Sequence, residues 1–396
     1  MRRSKQSIFL LILISLFFFH SPDLASAQSK EEPPEESFQK ELAEQISLDG
    51  VQEYWDKLGS EYKGFLPELE KTSIKEFLLS KDAFSGKQII KGLLSFLFQE
   101  LVSNGKLLGM LLVLVMFSAM LQTMHSAFEQ STVSKIAYFV VYLVLLFIAM
   151  NSFYSAFDYT RQSIEMMGGF MTALLPLLLG IMASFGNLLS VSFFHPVIVF
   201  LIYASSLVIS KFVLPLLFLS ALILIISSLN ERFRINHLAS LMKTVALGTL
   251  GAFLALFLGA ISIQGAASAV QDGVAMKTTK FIAGNFIPVV GRTFTDAADT
   301  IFAASLILKN GIGIIGAVLL LLIAFFPAIK ILVIAIIYKI AAAVLQPIGD
   351  GPIIETLNTI SKYMIHILAC LLACAMMFFL SIVIIAAASN VTILMR

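Results

Sequence analysis

Charge is what this 396-residue chain has least of: 13% of its residues are Asp, Glu, Lys or Arg, about half the share typical of soluble domains. The net charge is +2 and no basic cluster occurs, so the electrostatic footprint of a nucleic-acid-binding surface is missing. Cysteine is nearly absent. Cys370 and Cys374 stand four residues apart inside an apolar run, too few ligands for a structural zinc site, and they read as small buried hydrophobes. The phosphate-loop pattern G-x-x-x-x-G-K-S/T, the dinucleotide fingerprint G-x-G-x-x-G, the metalloprotease pattern H-E-x-x-H and the nucleophile elbow G-x-S-x-G are all missing. The five histidines (His20, His125, His195, His237 and His366) lie far apart in the sequence, and no aspartate pair sits inside an apolar run. The chain therefore reads as not an enzyme, with no cofactor and no metal.

Apolar side chains are abundant instead: 58% of the chain, with a mean hydropathy of +0.92. Runs of about 20 apolar residues span a bilayer as helices. The expected fold class is all-α, a polytopic α-helical membrane protein with about seven to nine membrane segments, some of them kinked or re-entrant, and a small helical extracytoplasmic segment at the N-terminus.

Residues 1–27 read as a signal peptide. Arg2, Arg3 and Lys5 form the basic region, Ile8 to Phe19 form a twelve-residue apolar core, and Ala25-Ser26-Ala27 is a cleavage site before Gln28. An uncleaved anchor is the alternative. Residues 28–105 follow as an extracytoplasmic part: an acidic leader, then short helices, with helical spacing at Val51, Tyr54, Trp55 and Leu58 and a break at Gly64-Phe65-Leu66-Pro67. So short a segment makes a thin core and is expected to pack on the membrane surface or on a partner.

Residues 106–396 read as the transmembrane domain. Its apolar runs cover 107–121, 136–157, 170–186, 191–229, 244–263, 312–345 and 364–388. The runs 191–229 and 312–345 are longer than one bilayer crossing requires. Each is expected to be a hairpin or a span plus an interfacial helix, with Pro176, Lys211, Pro215, Pro327 and Lys330 marking kinks or hairpin tips. Pro176 and Pro215 are 39 residues apart, as are Pro288 and Pro327; this spacing is the basis for an expected tandem repeat over about 134–240 and 241–362. Arg232, Arg234 and Lys243 outweigh Glu231, which places 230–243 in the cytoplasm. Gly251, Ala255 and Gly259 have the small-xxx-small spacing that permits close helix packing.

One stretch breaks the apolar pattern. Residues 264–300, QGAASAVQDGVAMKTTKFIAGNFIPVVGRTFTDAADT, carry Asp272, Lys277, Lys280, Asn285, Arg292, Asp296 and Asp299, together with Pro288 and four glycines. Gly265, Gly273, Gly284 and Gly291 are expected to interrupt helix there. Arg292, Asp296 and Asp299 share a helix face, spaced four and three residues apart. The stretch is either a solvated connector or a candidate functional and assembly segment.

The same stretch, with YWDKLGSEYKGFLPE at 54–68, an N-terminal signal and spans to the C-terminus, resembles the stage III sporulation protein AE family of endospore-forming bacteria. The resemblance covers nearly the whole mature chain. It implies a membrane component of the stage III A complex, in the mother-cell membrane around the forespore with its N-terminal segment on the intermembrane side. It further implies a contribution to a channel or secretion-like apparatus needed for forespore development. The implied partners are the other stage III A membrane proteins and forespore protein Q, besides the lipid bilayer and with self-association as a further expectation. The alternatives from other classes are a stand-alone secondary transporter with parallel internal repeats and a passive membrane scaffold.

Overall fold

The computed structural model describes the main chain of residues 47–79, 86–127, 132–184, 188–228, 235–286, 290–348 and 352–394; the side chains of 265–309 lie outside the described residues. The described main chain is helical with no strand. The helices are α1 (Asp49–Glu61), α2 (Pro67–Lys71), α3 (Ile74–Leu79), α4 (Gly86–Ser103), α5 (Gly105–Ala127), α6 (Thr132–Ser184), α7 (Leu188–Val208), α8 (Leu214–Ser228), α9 (Asn236–Phe286), α10 (Val290–Leu345) and α11 (Pro352–Leu394). A π-helical turn, Ile209–Val213, joins α7 to α8.

Among the described residues, five stretches are long and apolar enough to cross a membrane: Ile136–Ala183, His195–Ser228, Asn236–Gln264, Asn310–Val344 and Pro352–Ala387. A sixth is added if α4 and α5, bent by 41° at their junction, form one span. This is fewer than the seven to nine segments expected, because the long runs do not fold back. The helix continues through Pro176 in α6, through Pro327 in α10, and from α7 into α8 past Pro215.

The physical reason is clearest at Pro215. Proline has no N–H to offer the carbonyl four residues back and its ring crowds that carbonyl. The preceding turn widens instead of breaking, and Leu214 donates its N–H to the carbonyl of Ile209, five residues back. Lys211 thus sits exposed within a widened turn rather than at a hairpin tip. Nor do glycines interrupt the polar stretch: α9 runs unbroken through Gly265, Gly273 and Gly284 to Phe286. Gly291 lies in the first turn of α10, and Pro288 is outside the described residues.

The bundle core is apolar, with Phe153, Phe170, Phe257, Phe326 and Phe378 fully buried. Cys370 and Cys374 are buried in it as free thiols. Hydroxyl groups cross-link the helices inside it. Tyr142 on α6 hydrogen-bonds Thr356 on α11 at 2.9 Å and Ser228 on α8 at 3.3 Å. The Tyr338 hydroxyl on α10 donates to Ser152 on α6 at 2.9 Å. Ser220 on α8 donates to the Ala239 carbonyl on α9 and pairs with the Tyr363 hydroxyl on α11 at 2.6 Å. Such bonds between apolar helices contribute on average about 0.6 kcal/mol each, but they fix which faces meet.

The glycine face of α9 is not one of those faces. Ala246, Leu250, Phe257 and Ile261 turn into the bundle, while Gly251, Ala255 and Gly259 lie on the opposite, exposed side. No side chain within the described residues approaches the Cβ position of Gly251 or Gly259. Among the described residues no helix packs closely on that face, and the bulky residues of α9 are the ones that turn into the bundle.

The N-terminal helices fold around Trp55, which is fully buried and whose indole N–H donates to the carbonyls of Leu69 at 3.1 Å and Thr72 at 2.8 Å. Ser73 and Glu76 cap each other at the start of α3, a capping box. The Gln52 side chain accepts the Ile74 N–H at 3.0 Å and ties α3 to α1. Gly64 supplies the left-handed turn, φ 85°, that the chain needs between α1 and α2.

Candidate functional site

The thin N-terminal core is completed by the membrane helices. Tyr54 meets Phe170 of α6 edge to face at 5.4 Å between ring centroids. The side chain of α1 reaches α6 there because Gly169 has none: a Cβ at that position would stand 2.5 Å from the Tyr54 hydroxyl. Tyr62, 4% exposed, stacks on Phe326 of α10 at 3.8 Å and 11°. Phe96 of α4 meets the Phe326 ring at 4.9 Å and the Tyr62 ring at 5.6 Å. Offset and edge-on ring pairs of this kind contribute about 0.5–1.5 kcal/mol each beyond their buried area.

Lys330 lies at the centre of this seam. Its ammonium stands 5.4 Å from the Tyr159 ring, 5.7 Å from Tyr62 and 5.9 Å from Phe96, within cation–π range of all three. One turn earlier, Pro327 cannot bond the Ile323 carbonyl, and a small cavity of about 90 Å³ opens against this turn, lined also by Glu61, Gln162 and Ser163. Burial, and next the Glu61 carboxylate, raise the pKa of the Tyr62 phenol, so it stays neutral. Burial likewise raises that of Tyr54, with Glu53 adding to it. Arg161 and Glu165 of α6 pair at 3.5 Å on the surface close by, a contact of little energetic weight. The seam can hold two parts of the chain together, with three aromatic faces about its lysine.

The structure brings together residues the sequence kept far apart. Lys330 meets Tyr62 and Phe96 across more than two hundred residues, and no periodicity announces that pairing. Lys211, Pro176 and Pro215 do not join the seam's ring cluster. Asp272, Lys277, Lys280, Asn285, Arg292, Asp296 and Asp299 occupy helical main chain in α9 and α10, but their side chains lie outside the described residues, as does Pro288 altogether. A second group of polar residues was not read from the sequence as a site: Lys243 on α9, noted there only for orientation, Lys339 on α10 and Lys362 on α11 converge on one cavity. Each is a lone lysine near a run end, so only their convergence in space distinguishes them.

The family model for stage III sporulation protein AE matches residues 70–389. The chain belongs to the stage III sporulation protein AE family. A curated relative, stage III sporulation protein AE of Bacillus subtilis (strain 168), is 46% identical over 398 residues, covering 99% of this chain and all of the relative. No solved structure matches. This family member is thus a stage III sporulation protein built largely of apolar helices long enough to cross a membrane. The matched region takes in α3 to α11, and so both sides of the Lys330 seam apart from α1 and the start of α2.

Proposed function

We propose that this chain is a multi-pass membrane component of the stage III A assembly, contributing to a channel or secretion-like apparatus between mother cell and forespore. Its partners in this reading are the other stage III A membrane proteins and forespore protein Q, and it works without catalysis or cofactor. The observation that carries the proposal is the end-to-end match to a Bacillus subtilis stage III sporulation protein. The fold is compatible with a part of a larger assembly. Outward faces of α5 and α9 present large apolar residues, among them Val113, Met116, Leu256 and Ile263, that no helix of this chain covers among the described residues. They can meet lipid or partner helices.

The proposed orientation puts the N-terminal helices outside the cytoplasm, in the space between mother cell and forespore, and the start of α9 inside it. With α4 and α5 counted as one crossing, α6 as the second and α7–α8 as the third, an exported N-terminus brings the start of α9 to the cytoplasmic side. That agrees with the basic bias of 230–243. Cysteine substitutions at Ser60 and Asn236, both exposed, on a background with Cys370 and Cys374 replaced, test it: an impermeant reagent should label the first from outside and not the second.

The assembly itself is tested by purifying a tagged chain from sporulating cells. Several other stage III A membrane proteins should accompany it, and deletion should arrest forespore development. A chain that purifies alone and moves a solute across liposomes by itself would instead favour the stand-alone transporter.

A further inference from the structure

At the end of the bundle remote from the N-terminal helices, α9, α10 and α11 enclose an open cavity of about 710 Å³. Lys243, Lys339 and Lys362 line it, one from each helix, with His366, Asn358 and a single carboxylate, Glu355. Lys339 donates to the side-chain amide oxygen, Oδ1, of Asn358 at 2.8 Å, which holds its ammonium in place. Among the described residues none of the three lysines is in a salt bridge. Among the described residues three cations face one anion, Glu355, which leaves an excess of positive charge gathered at this site. Lysine is a compact donor suited to phosphate oxygens. Lys339 and Lys362 are exposed and Lys243 is half-buried, so the site opens to the surface and an anion can reach it.

The surroundings say how that anion is carried. Ile340 and Val344 follow Lys339 on α10, Leu241 precedes Lys243 on α9, and Ile365 precedes His366 on α11; all four are exposed, between 42% and 59%. The three helices that carry the lysines thus also carry exposed aliphatic side chains close to them in sequence. We propose that this cavity binds a phosphate-bearing anion, and that the exposed aliphatic side chains of the same three helices select the headgroup of an anionic phospholipid, with the acyl chains lying along α9, α10 and α11. Basic pockets between membrane helices hold headgroups in this way. The site stands on its own geometry and does not depend on the proposed assembly.

The test uses the full-length protein, delipidated in a zwitterionic detergent and titrated with phosphatidylglycerol or phosphatidylcholine, with retained lipid counted by native mass spectrometry. Each basic side chain near an anionic headgroup is worth roughly a fivefold change in affinity, so the triple variant Lys243→Gln, Lys339→Gln, Lys362→Gln should bind phosphatidylglycerol roughly a hundredfold more weakly. Phosphatidylcholine binding should be weak and unchanged. Replacing Lys57, Lys87 and Lys91, which lie on the N-terminal helices, should change nothing. The Lys→Arg triple variant should restore binding and shows that the site still folds. Displacement of phosphatidylglycerol by excess inorganic phosphate, with matching thermal stabilisation by phosphate alone, would keep the anion site and overturn the lipid assignment. Equal phosphatidylglycerol retention by the wild type and the glutamine triple, or loss in the arginine triple as well, would overturn the site.

Discussion

Removing the charge from Lys330 should loosen the N-terminal helices without unfolding the bundle. Three rings surround its ammonium at 5.4 to 5.9 Å. A cation–π contact is worth about 0.5–1 kcal/mol at an exposed site and about 2 when desolvated. Lys330 is half-buried, so the cage as a whole contributes about 1–2 kcal/mol. Lys330→Met keeps the aliphatic stem and should cost that much of the docking free energy. Tyr62→Leu loses the same contact together with the ring stacked on Phe326 and should cost about 2–4 kcal/mol. Because the two changes delete one shared interaction, the double variant should fall short of their sum by about 0.5–1 kcal/mol. Trp55 is the sole tryptophan and lies fully buried in the segment that undocks. Its emission during a urea titration in detergent therefore reads this local opening, and limited proteolysis after α3 gives an independent measure. Additivity within about 0.3 kcal/mol, or a Lys330→Met protein that undocks like the wild type, would refute the cage.

Four further outcomes follow from the same structure. The phenol of Tyr62 has its pKa raised by burial, so its contribution is intact below about pH 10 and is lost as pH rises beyond that value; Trp55 emission should shift over this range in the wild type, and less in Tyr62→Phe. Gly169→Leu would drive its side chain into Tyr54 and should weaken docking by about 1–3 kcal/mol, seen as faster proteolysis of α1–α3, with partial recovery on adding Tyr54→Ala. Thr356→Val removes one of the two partners of the Tyr142 hydroxyl and should cost about 0.6–1.7 kcal/mol in thermal unfolding of the bundle. Arg292→Ala and Asp296→Ala, four residues apart on one face of α10, should each reduce spore formation at normal protein level. The double change should be less harmful than the two effects combined, whereas wild-type sporulation in both single variants would mark that face as a solvated connector.

Composition and hydropathy alone determined the class of this protein. Long unbroken apolar runs satisfy their backbone in lipid as helices, whereas a closed barrel needs short alternating strands, and the apolar runs of 136–157, 244–263 and 364–388 each fall within a helix of the structure. The capping box at Ser73 and the spacing of Val51, Trp55 and Leu58 likewise act locally, within one or two turns, and so are written in adjacent residues. What proline does in a long apolar helix was not legible. Pro176, Pro215 and Pro327 carry the same chemistry whether the chain reverses or runs on, and the choice rests on neighbours that repack around the freed carbonyl, as the π turn before Pro215 does. The outward turn of Gly251, Ala255 and Gly259 depended on which side of α9 offered more area to bury, a comparison that needs the other helices in place. Lys330 among Tyr62, Phe96 and Tyr159, and the meeting of Lys243, Lys339 and Lys362, were decided by tertiary structure alone. Cation–ring and cation–anion attractions act over a few ångströms of space irrespective of sequence separation, and a single lysine near the end of an apolar run has the same local sequence whether it faces lipid headgroups, water or a site.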